Sequence, residues 1–106
     1  MVTFDDFKKI EIRIGKVLAA QRVEGTDKLM KLEVDIGEER RQIIAGIAHA
    51  YTPEEIIGKE IPVLINLEPR KLRGIESQGM ILAAIDGEMP VLLHPAKEVL
   101  PGSMIR

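Results

Sequence analysis

Residues 30–45 read MKLEVDIGEERRQIIA and contain the clearest strand pattern of the chain. From Met30 to Ile36 apolar residues alternate with charged ones, which is the period of a strand that buries one face. The segment Gly37 to Glu39 is polar and predicts a turn, so Arg41 to Ala45 is expected to pair with the preceding strand as a hairpin. An antiparallel hairpin is therefore predicted over residues 30–45.

The chain before this hairpin predicts one long strand and a short helical turn. Isoleucines alternate with charged residues between positions 10 and 14, and Gly15 interrupts this pattern before Lys16-Val17-Leu18-Ala19. Gly15 is expected to mark a bulge or bend that lets one strand serve both sides of a small barrel. Thr3 is expected to cap the helical turn, and Phe4 and Phe7 are expected to hold it against the body.

The chain after the hairpin predicts a helix and two strands. Residues 52–55, TPEE, form a strong helix start with a capping box, and Gly58 is expected to end the helix within about two turns. Ile61 to Ile65 predicts a fourth strand, in which Pro62 implies an edge or strand-start position. Gly79 to Ile85 predicts a fifth strand.

Three strands, a short helix and two further strands match the order of an OB-fold, a five-stranded Greek-key barrel. The predicted fold class is therefore all-β, with a short helix between strands 3 and 4 and a C-terminal extension. An SH3-like barrel is the alternative, and the position of the helix favours the OB-fold. With 106 residues and 45% hydrophobic content, the chain is expected to form a single domain over residues 1–106.

A basic segment lies between the fourth and fifth predicted strands. Residues 66–80 read NLEPRKLRGIESQGM, and a proline and two glycines within them predict a long loop rather than a helix. Arg70, Lys71 and Arg73 concentrate positive charge in a chain whose net charge is −2. A local basic cluster favours an anionic partner, and a solvated charged loop is the alternative.

The same region carries neutral hydrogen-bond donors and acceptors that can bond to phosphate, sugar or base edges, namely Asn66, Ser77 and Gln78. OB-folds bind oligonucleotides with the loops that join strands 1 to 2 and 4 to 5. Lys28 is expected in the first of these loops, and Arg41 at the start of strand 3; ordinary surface charges are the alternative for both. The candidate contact residues are Lys28, Arg41, Asn66, Arg70, Lys71, Arg73, Ser77, Gln78 and Met80.

The segment PRKLRGIESQGM, residues 69–80, closely resembles the signature of a tRNA-binding domain family. That domain is fused to the C-terminus of many methionyl-tRNA synthetases, and it occurs as a separate β subunit and as a free-standing structure-specific tRNA-binding protein. Related modules occur in the endothelial monocyte-activating polypeptide and in some phenylalanyl-tRNA synthetase β chains. The resemblance continues through IRIGKV at 12–17, TDKLMKLEVDIG at 26–37, RQIIAGIAHAYTPEEIIGKEI at 41–61 and PGS at 101–103.

This resemblance implies an OB-fold, twofold dimers, and binding roles for Asn66, Ser77 and Met80. A turn residue is the alternative for Asn66, and a core position is the alternative for Met80. The chain has only three aromatic residues and none lies in the basic segment, so base stacking is a poor explanation of binding. Recognition of folded RNA through phosphates and 2′-hydroxyls fits better.

Other classes of function fit the sequence poorly. There is no cysteine, and the two histidines have no metal-ligand spacing, so no metal site and no cofactor are expected. Ser77 lacks the G-x-S-x-G context of a nucleophile. The start of the chain does not resemble a signal peptide, and no apolar run approaches the roughly 18 residues of a membrane span. We therefore expect a cytoplasmic protein with no membrane partner.

The sequence and the resemblance together predict a non-catalytic tRNA-binding module. Its expected partners are tRNA and the catalytic chain of a methionyl-tRNA synthetase, joined in cis or as a separate subunit. The alternative is a dimerisation or secretion-chaperone-like OB module that binds polypeptide. A homodimer is expected in which Val91 to Leu93 and Val99 to Ile105 join Phe4 and Phe7 in a self-complementary surface. Those two segments could instead plug the end of the barrel.

Overall fold

A computed structural model describes the whole chain, residues 1–106. Its helices and strands are α1 (Phe4–Lys8), β1 (Ile12–Arg22), β2 (Met30–Asp35), β3 (Arg40–Ala45), α2 (Pro53–Ile56), β4 (Glu60–Leu64), β5 (Arg70–Leu72), β6 (Ile75–Ser77), β7 (Met80–Ile81), β8 (Ala83–Asp86), β9 (Met89–Leu92) and β10 (Met104–Ile105). The main sheet has the order β3-β2-β1-β4-β7, and β10 also pairs with β1. With α2 between β3 and β4, this is the predicted all-β OB-fold, and the prediction of fold class is confirmed.

Strand β1 serves both sides of the barrel, as predicted. Its first half pairs with β4 and its second half with β2. The irregularity in pairing lies between Val17 and Ala19, however, and not at Gly15, which keeps a regular register with Ile61. Gly15 is needed for close packing instead, because a Cβ atom there would lie 2.3 Å from Cγ1 of Val34.

The core is built from the residues that alternate along β2. Met30, Leu32 and Val34 are at most 1% exposed, and the remaining core residues come mainly from β3, β4 and the segment around α2. Helix α2 contributes Ile56, which is 1% exposed. The N–H of Thr52 donates to Oε1 of Glu55 at 2.9 Å, which is one half of the predicted capping box.

Residues 66–80 are not a plain loop, because they contain the antiparallel hairpin β5–β6. Its two-residue turn consists of Arg73 and Gly74, with φ angles of 53° and 78°, as a type I′ turn requires. The predicted fifth strand, residues 79–85, is also divided. Its first part, β7, pairs with β4, whereas β8 turns away and forms a separate hairpin with β9.

Two further predictions were wrong, one about Pro62 and one about Phe4 with Phe7. Pro62 lies in β4, which is an internal strand between β1 and β7. The residue opposite it on β1, Ile14, pairs its N–H and C=O with the segment at Gly102 and Ser103, so no hydrogen bond from β1 is lost at the proline. In α1 no residue is buried, and Phe4 remains 72% exposed. Neither helix has the length or apolar character to span a membrane.

Candidate nucleic-acid interface

The hairpin formed by residues 70–77, which we call the basic hairpin, has an inner and an outer face. Leu72 and Ile75 stand opposite each other and are half-buried, on the same side as the buried Ser77. Lys71 and Glu76 also stand opposite each other, but on the outer side, because side chains alternate along a strand. The hairpin therefore rests on the barrel through Leu72, Ile75 and Ser77, and it presents Lys71 and Glu76 to solvent.

The three cations of the basic hairpin are free. Arg70, Lys71 and Arg73 are all exposed, and none of them takes part in an ion pair. Of the twelve other basic side chains of the domain, four are engaged with carboxylates, namely Lys9, Arg13, Arg40 and Arg41. The hairpin thus offers its positive charge to a ligand without first breaking an internal pair.

The loop between β1 and β2 meets the tip of the basic hairpin. Lys28 and Arg73 line one groove of about 380 Å³, together with residues 25–27 and Leu29. The C=O of Lys28 accepts a hydrogen bond from the N–H of Ala48 at 2.8 Å, which fixes the backbone of this loop to the barrel. Two cations predicted from distant parts of the sequence therefore lie on the same groove.

Ser77 is the last residue of the basic hairpin, and its side chain is buried inside the molecule. It is 2% exposed, its Oγ accepts from the N–H of Ile44 at 3.0 Å, and the same hydroxyl donates to the C=O of Gly79 at 3.0 Å. Both hydrogen-bonding functions of the hydroxyl are therefore used within the protein.

Gln78 makes a matching set of bonds to β3. Its N–H donates to the C=O of Gln42 at 2.8 Å, and its side-chain Oε1 accepts from the N–H of Gln42 at 3.0 Å. The side chain of Gln42 in turn donates to the C=O of Glu76 at 2.8 Å. Gln42, Ile44, Ser77 and Gln78 form what we call the seam, where the free edge of β3 is closed against the basic hairpin.

Arg41 joins the seam to the end of β4. Its guanidinium donates to the C=O of Ile65 and, at 3.2 Å, to the C=O of Gln78. It also contacts Glu39 through two nitrogens, at 2.8 and 2.6 Å. The side chain is only 24% exposed, so most of its donors are directed at protein acceptors.

Asn66 fixes the connection between α1 and β1. Its Oδ1 accepts from the N–H of Glu11 at 2.8 Å, and its Nδ2 donates to the C=O of Lys9 at 2.6 Å. Arg41 and Asn66 line a common cavity of about 420 Å³. Met80, by contrast, is 37% exposed at the start of β7.

The nine candidate residues thus fall into two groups. One group is exposed and free of internal ion pairs, namely Lys28, Arg70, Lys71, Arg73 and Met80. The other group is bonded within the protein, namely Arg41, Asn66, Ser77 and Gln78. Gln42 could not be singled out from the sequence, because nothing in the local pattern distinguishes it from other polar residues on a strand. Contact of any of these residues with RNA stays a prediction.

The main sheet of this barrel has five strands in the order β3-β2-β1-β4-β7, and the basic hairpin with its unpaired cations lies between β4 and β7 in the sequence. This arrangement belongs to the class of oligonucleotide-binding OB domains. Residues 12–104 match the family described as "Putative tRNA binding domain". The chain belongs to this family.

The relatives of the chain include methionine–tRNA ligases. It is 54% identical over 104 residues to the methionine–tRNA ligase of Archaeoglobus fulgidus, covering 98% of this chain and 16% of that protein. It is 52% identical over 104 residues to the methionine–tRNA ligase of Thermotoga maritima, again covering 98% of this chain and 16% of the relative. The chain thus spans 16% of the length of these enzymes and is homologous to their non-catalytic tRNA-binding domain.

Solved structures show the same fold. A protein related to methionyl-tRNA synthetase from Pyrococcus horikoshii has a TM-score of 0.94 and 37% identity, with 100% of this chain and 98% of that chain covered. The chaperone CsaA of Bacillus anthracis has a TM-score of 0.91 and 32% identity, with 100% and 99% covered.

Proposed function

We propose that this domain binds folded tRNA through its phosphate backbone and shape, and that it raises the tRNA affinity of a methionyl-tRNA synthetase. The domain acts either as part of the synthetase chain or as a separate subunit, in the cytoplasm. The observation that carries the proposal is the basic hairpin, whose three cations have no internal partner. In a chain of net charge −2, these residues concentrate positive potential at one place on the surface.

The groove next to the hairpin supports binding to a continuous backbone. Lys28 and Arg73 line this groove from two separate segments, next to the carboxylate of Asp27, so a phosphate chain lying along it can meet a cation from each segment. Lys and Arg side chains that neutralise phosphates release counterions, which makes the affinity steeply dependent on salt. The same contacts carry little sequence information, so different tRNAs should bind alike.

The aromatic residues lie away from this groove, which disfavours base stacking. Tyr51 packs against the core and its hydroxyl accepts from the N–H of Leu92 at 3.1 Å. Phe4 and Phe7 lie on α1, outside the basic hairpin. A single strand would therefore gain little from its unpaired bases, whereas a folded RNA presents its phosphates in a fixed arrangement.

The test is a titration with folded initiator tRNA, an elongator tRNA and an unstructured single strand of equal length, across a salt series. We expect both tRNAs to bind with similar affinity, a steep decrease with salt, and weaker binding of the single strand. A flat salt response or tighter binding of the single strand would contradict the proposal.

We also propose that the domain is a homodimer. Strand β9 and the residue after it alternate between faces, so Leu92 enters the core while Met89, Val91 and Leu93 are exposed. One face of this segment thus contributes Leu92 to the core, and the other remains as an apolar surface. Phe4, Phe7 and, within the segment Val99 to Ile105, Leu100 and Met104 are exposed as well. A twofold dimer that covers such residues would hold two basic hairpins in a fixed relation and enlarge the surface offered to one tRNA.

Binding of unfolded polypeptide is the second candidate function. The likeness to the chaperone CsaA at 32% identity favours it, and the exposed apolar residues of β9 provide a surface for it. Competition distinguishes the two: under the tRNA proposal, an excess of a reduced, unfolded protein does not displace tRNA. Displacement at comparable concentrations would favour the chaperone-like function.

A further inference from the structure

Gln42 is the residue of β3 whose side chain is hydrogen-bonded to the basic hairpin. Its amide Nε2 donates to the C=O of Glu76 at 2.8 Å. Its backbone N–H and C=O are bonded to Gln78, at 3.0 and 2.8 Å. The residue therefore bonds to the hairpin at Glu76 and to the residue directly after the hairpin, Gln78, through groups that are all uncharged.

The basic hairpin depends on such contacts for its position. Strands β5 and β6 form a two-stranded unit that is not part of the main sheet, and hairpins of this size are at best marginally stable alone. Of its residues only Ser77 is buried, and Leu72 and Ile75 are half-buried. Few apolar contacts thus hold the hairpin, so the hydrogen bonds of the seam decide how it lies on the barrel.

We infer that Gln42 is a positioning residue for tRNA binding, which orients the basic hairpin so that Arg70, Lys71 and Arg73 engage phosphates together with Lys28. This inference rests on the proposed function. The side chain of Gln42 acts through the C=O of Glu76 and does not itself touch RNA. Without this bond the hairpin changes its orientation relative to the barrel, to which the buried Ser77 still holds it. Its cations then contact the RNA backbone less often.

The test replaces Gln42 with a side chain that cannot donate. Gln42→Met keeps the length and bulk of the side chain, and Gln42→Ala removes both. The control is Gln21→Ala, since Gln21 lines the same groove as Gln42 on the face of the barrel and makes no side-chain hydrogen bond there. None of the three changes alters the charge of the protein.

Two quantities are measured for each variant. The first is tRNA affinity as a function of salt, for which we expect about a three- to tenfold loss in Gln42→Ala and Gln42→Met. We further expect the slope of log K against log salt to become shallower by about one unit, because cations disengage although no charge is removed. The second is the rate of trypsin cleavage after Arg70, Lys71 and Arg73, which should rise in both variants and stay unchanged in the control.

The possible outcomes test the positioning role of Gln42 separately from tRNA binding by the domain. A loss of affinity at an unchanged salt slope would show direct contact of Gln42 with RNA and overturn the positioning role. Unchanged affinity and unchanged cleavage would overturn it as well. If the unaltered domain failed to bind tRNA, the proposed function would fall, whereas faster cleavage in the two variants would still show that Gln42 orients the hairpin.

Discussion

Oγ of Ser77 accepts a hydrogen bond from the backbone N–H of Ile44 at 3.0 Å, across 33 positions of sequence. Strand β3 ends the order of the main sheet, so its outer edge has no backbone ladder to pair with. Ser77 and Gln78 supply side-chain oxygens at this edge where a neighbouring strand would supply carbonyls. The barrel is therefore closed by these side chains and by the backbone bond from Gln78 to Gln42, and the same bonds fix the position of the basic hairpin.

Replacing Ser77 by alanine should destabilise the domain. The change leaves the buried N–H of Ile44 without an acceptor, which typically costs about 1–3 kcal/mol. Each 1 kcal/mol corresponds to a decrease of about 4–8 °C in Tm for a domain near this size. Ser103→Ala is the control in thermal unfolding, because that hydroxyl donates to Leu100 near the surface. Equal Tm values for the two variants would contradict the role of the seam.

Replacing Gly15 by alanine should also destabilise the domain. The new Cβ would lie 2.3 Å from Cγ1 of Val34, which is in the middle of the core. Overpacking of this kind costs typically about 1–3 kcal/mol. Gly46→Ala is a matched control, since a Cβ there has no neighbour within 4 Å and the backbone has no positive φ. Chemical denaturation should show a large loss for the first variant and a change within about 0.5 kcal/mol for the second; equal stabilities would contradict this packing.

Replacing Val91 by arginine should dissociate the proposed dimer. Val91 is 42% exposed on the outer face of β9, and a buried charge at an apolar interface is costly unless it is paired. Ile57→Arg is the control, because Ile57 is 48% exposed at the end of α2, on another element. Sedimentation at micromolar concentration should show a monomer for Val91→Arg and a dimer for Ile57→Arg. A Val91→Arg variant that stays dimeric would exclude this face as the interface.

The strands could be predicted because their information is local. The alternation from Met30 to Val34 indicated the buried face of β2, and Thr52 with Glu55 indicated the start of α2. The hairpin in the basic segment was missed because its turn places Arg73 at a positive φ, which non-glycine residues seldom adopt. The usual hairpin signal, Asn-Gly or Asp-Gly, is absent there.

The candidate site was predicted only in part, since residue type does not reveal whether a polar group is already bonded. Asn66 and Ser77 have side chains suited to RNA contacts, yet both are engaged with distant backbone groups. The pairing of Gln42 with Gln78 spans 36 positions and follows no local pattern. By contrast, the cations could be located from sequence, because their clustering is visible in the chain itself.

The basic hairpin is the element on which the proposed tRNA binding depends most directly, and the salt dependence of that binding is the measurement that tests it. Two variants with the same net charge are compared with the unaltered domain. One carries alanine at Arg70, Lys71 and Arg73, and the other carries alanine at three exposed cations elsewhere, Lys59, Lys97 and Arg106.

We expect the hairpin variant to bind folded tRNA much more weakly, with a slope of log K against log salt that is shallower by about 0.7–0.9 for each phosphate that is no longer neutralised. Its Tm should change little, because exposed charges without partners contribute little to stability. The control should keep both the affinity and the slope of the unaltered domain. Equal affinity and equal slope in the hairpin variant would contradict the role of the basic hairpin in tRNA binding.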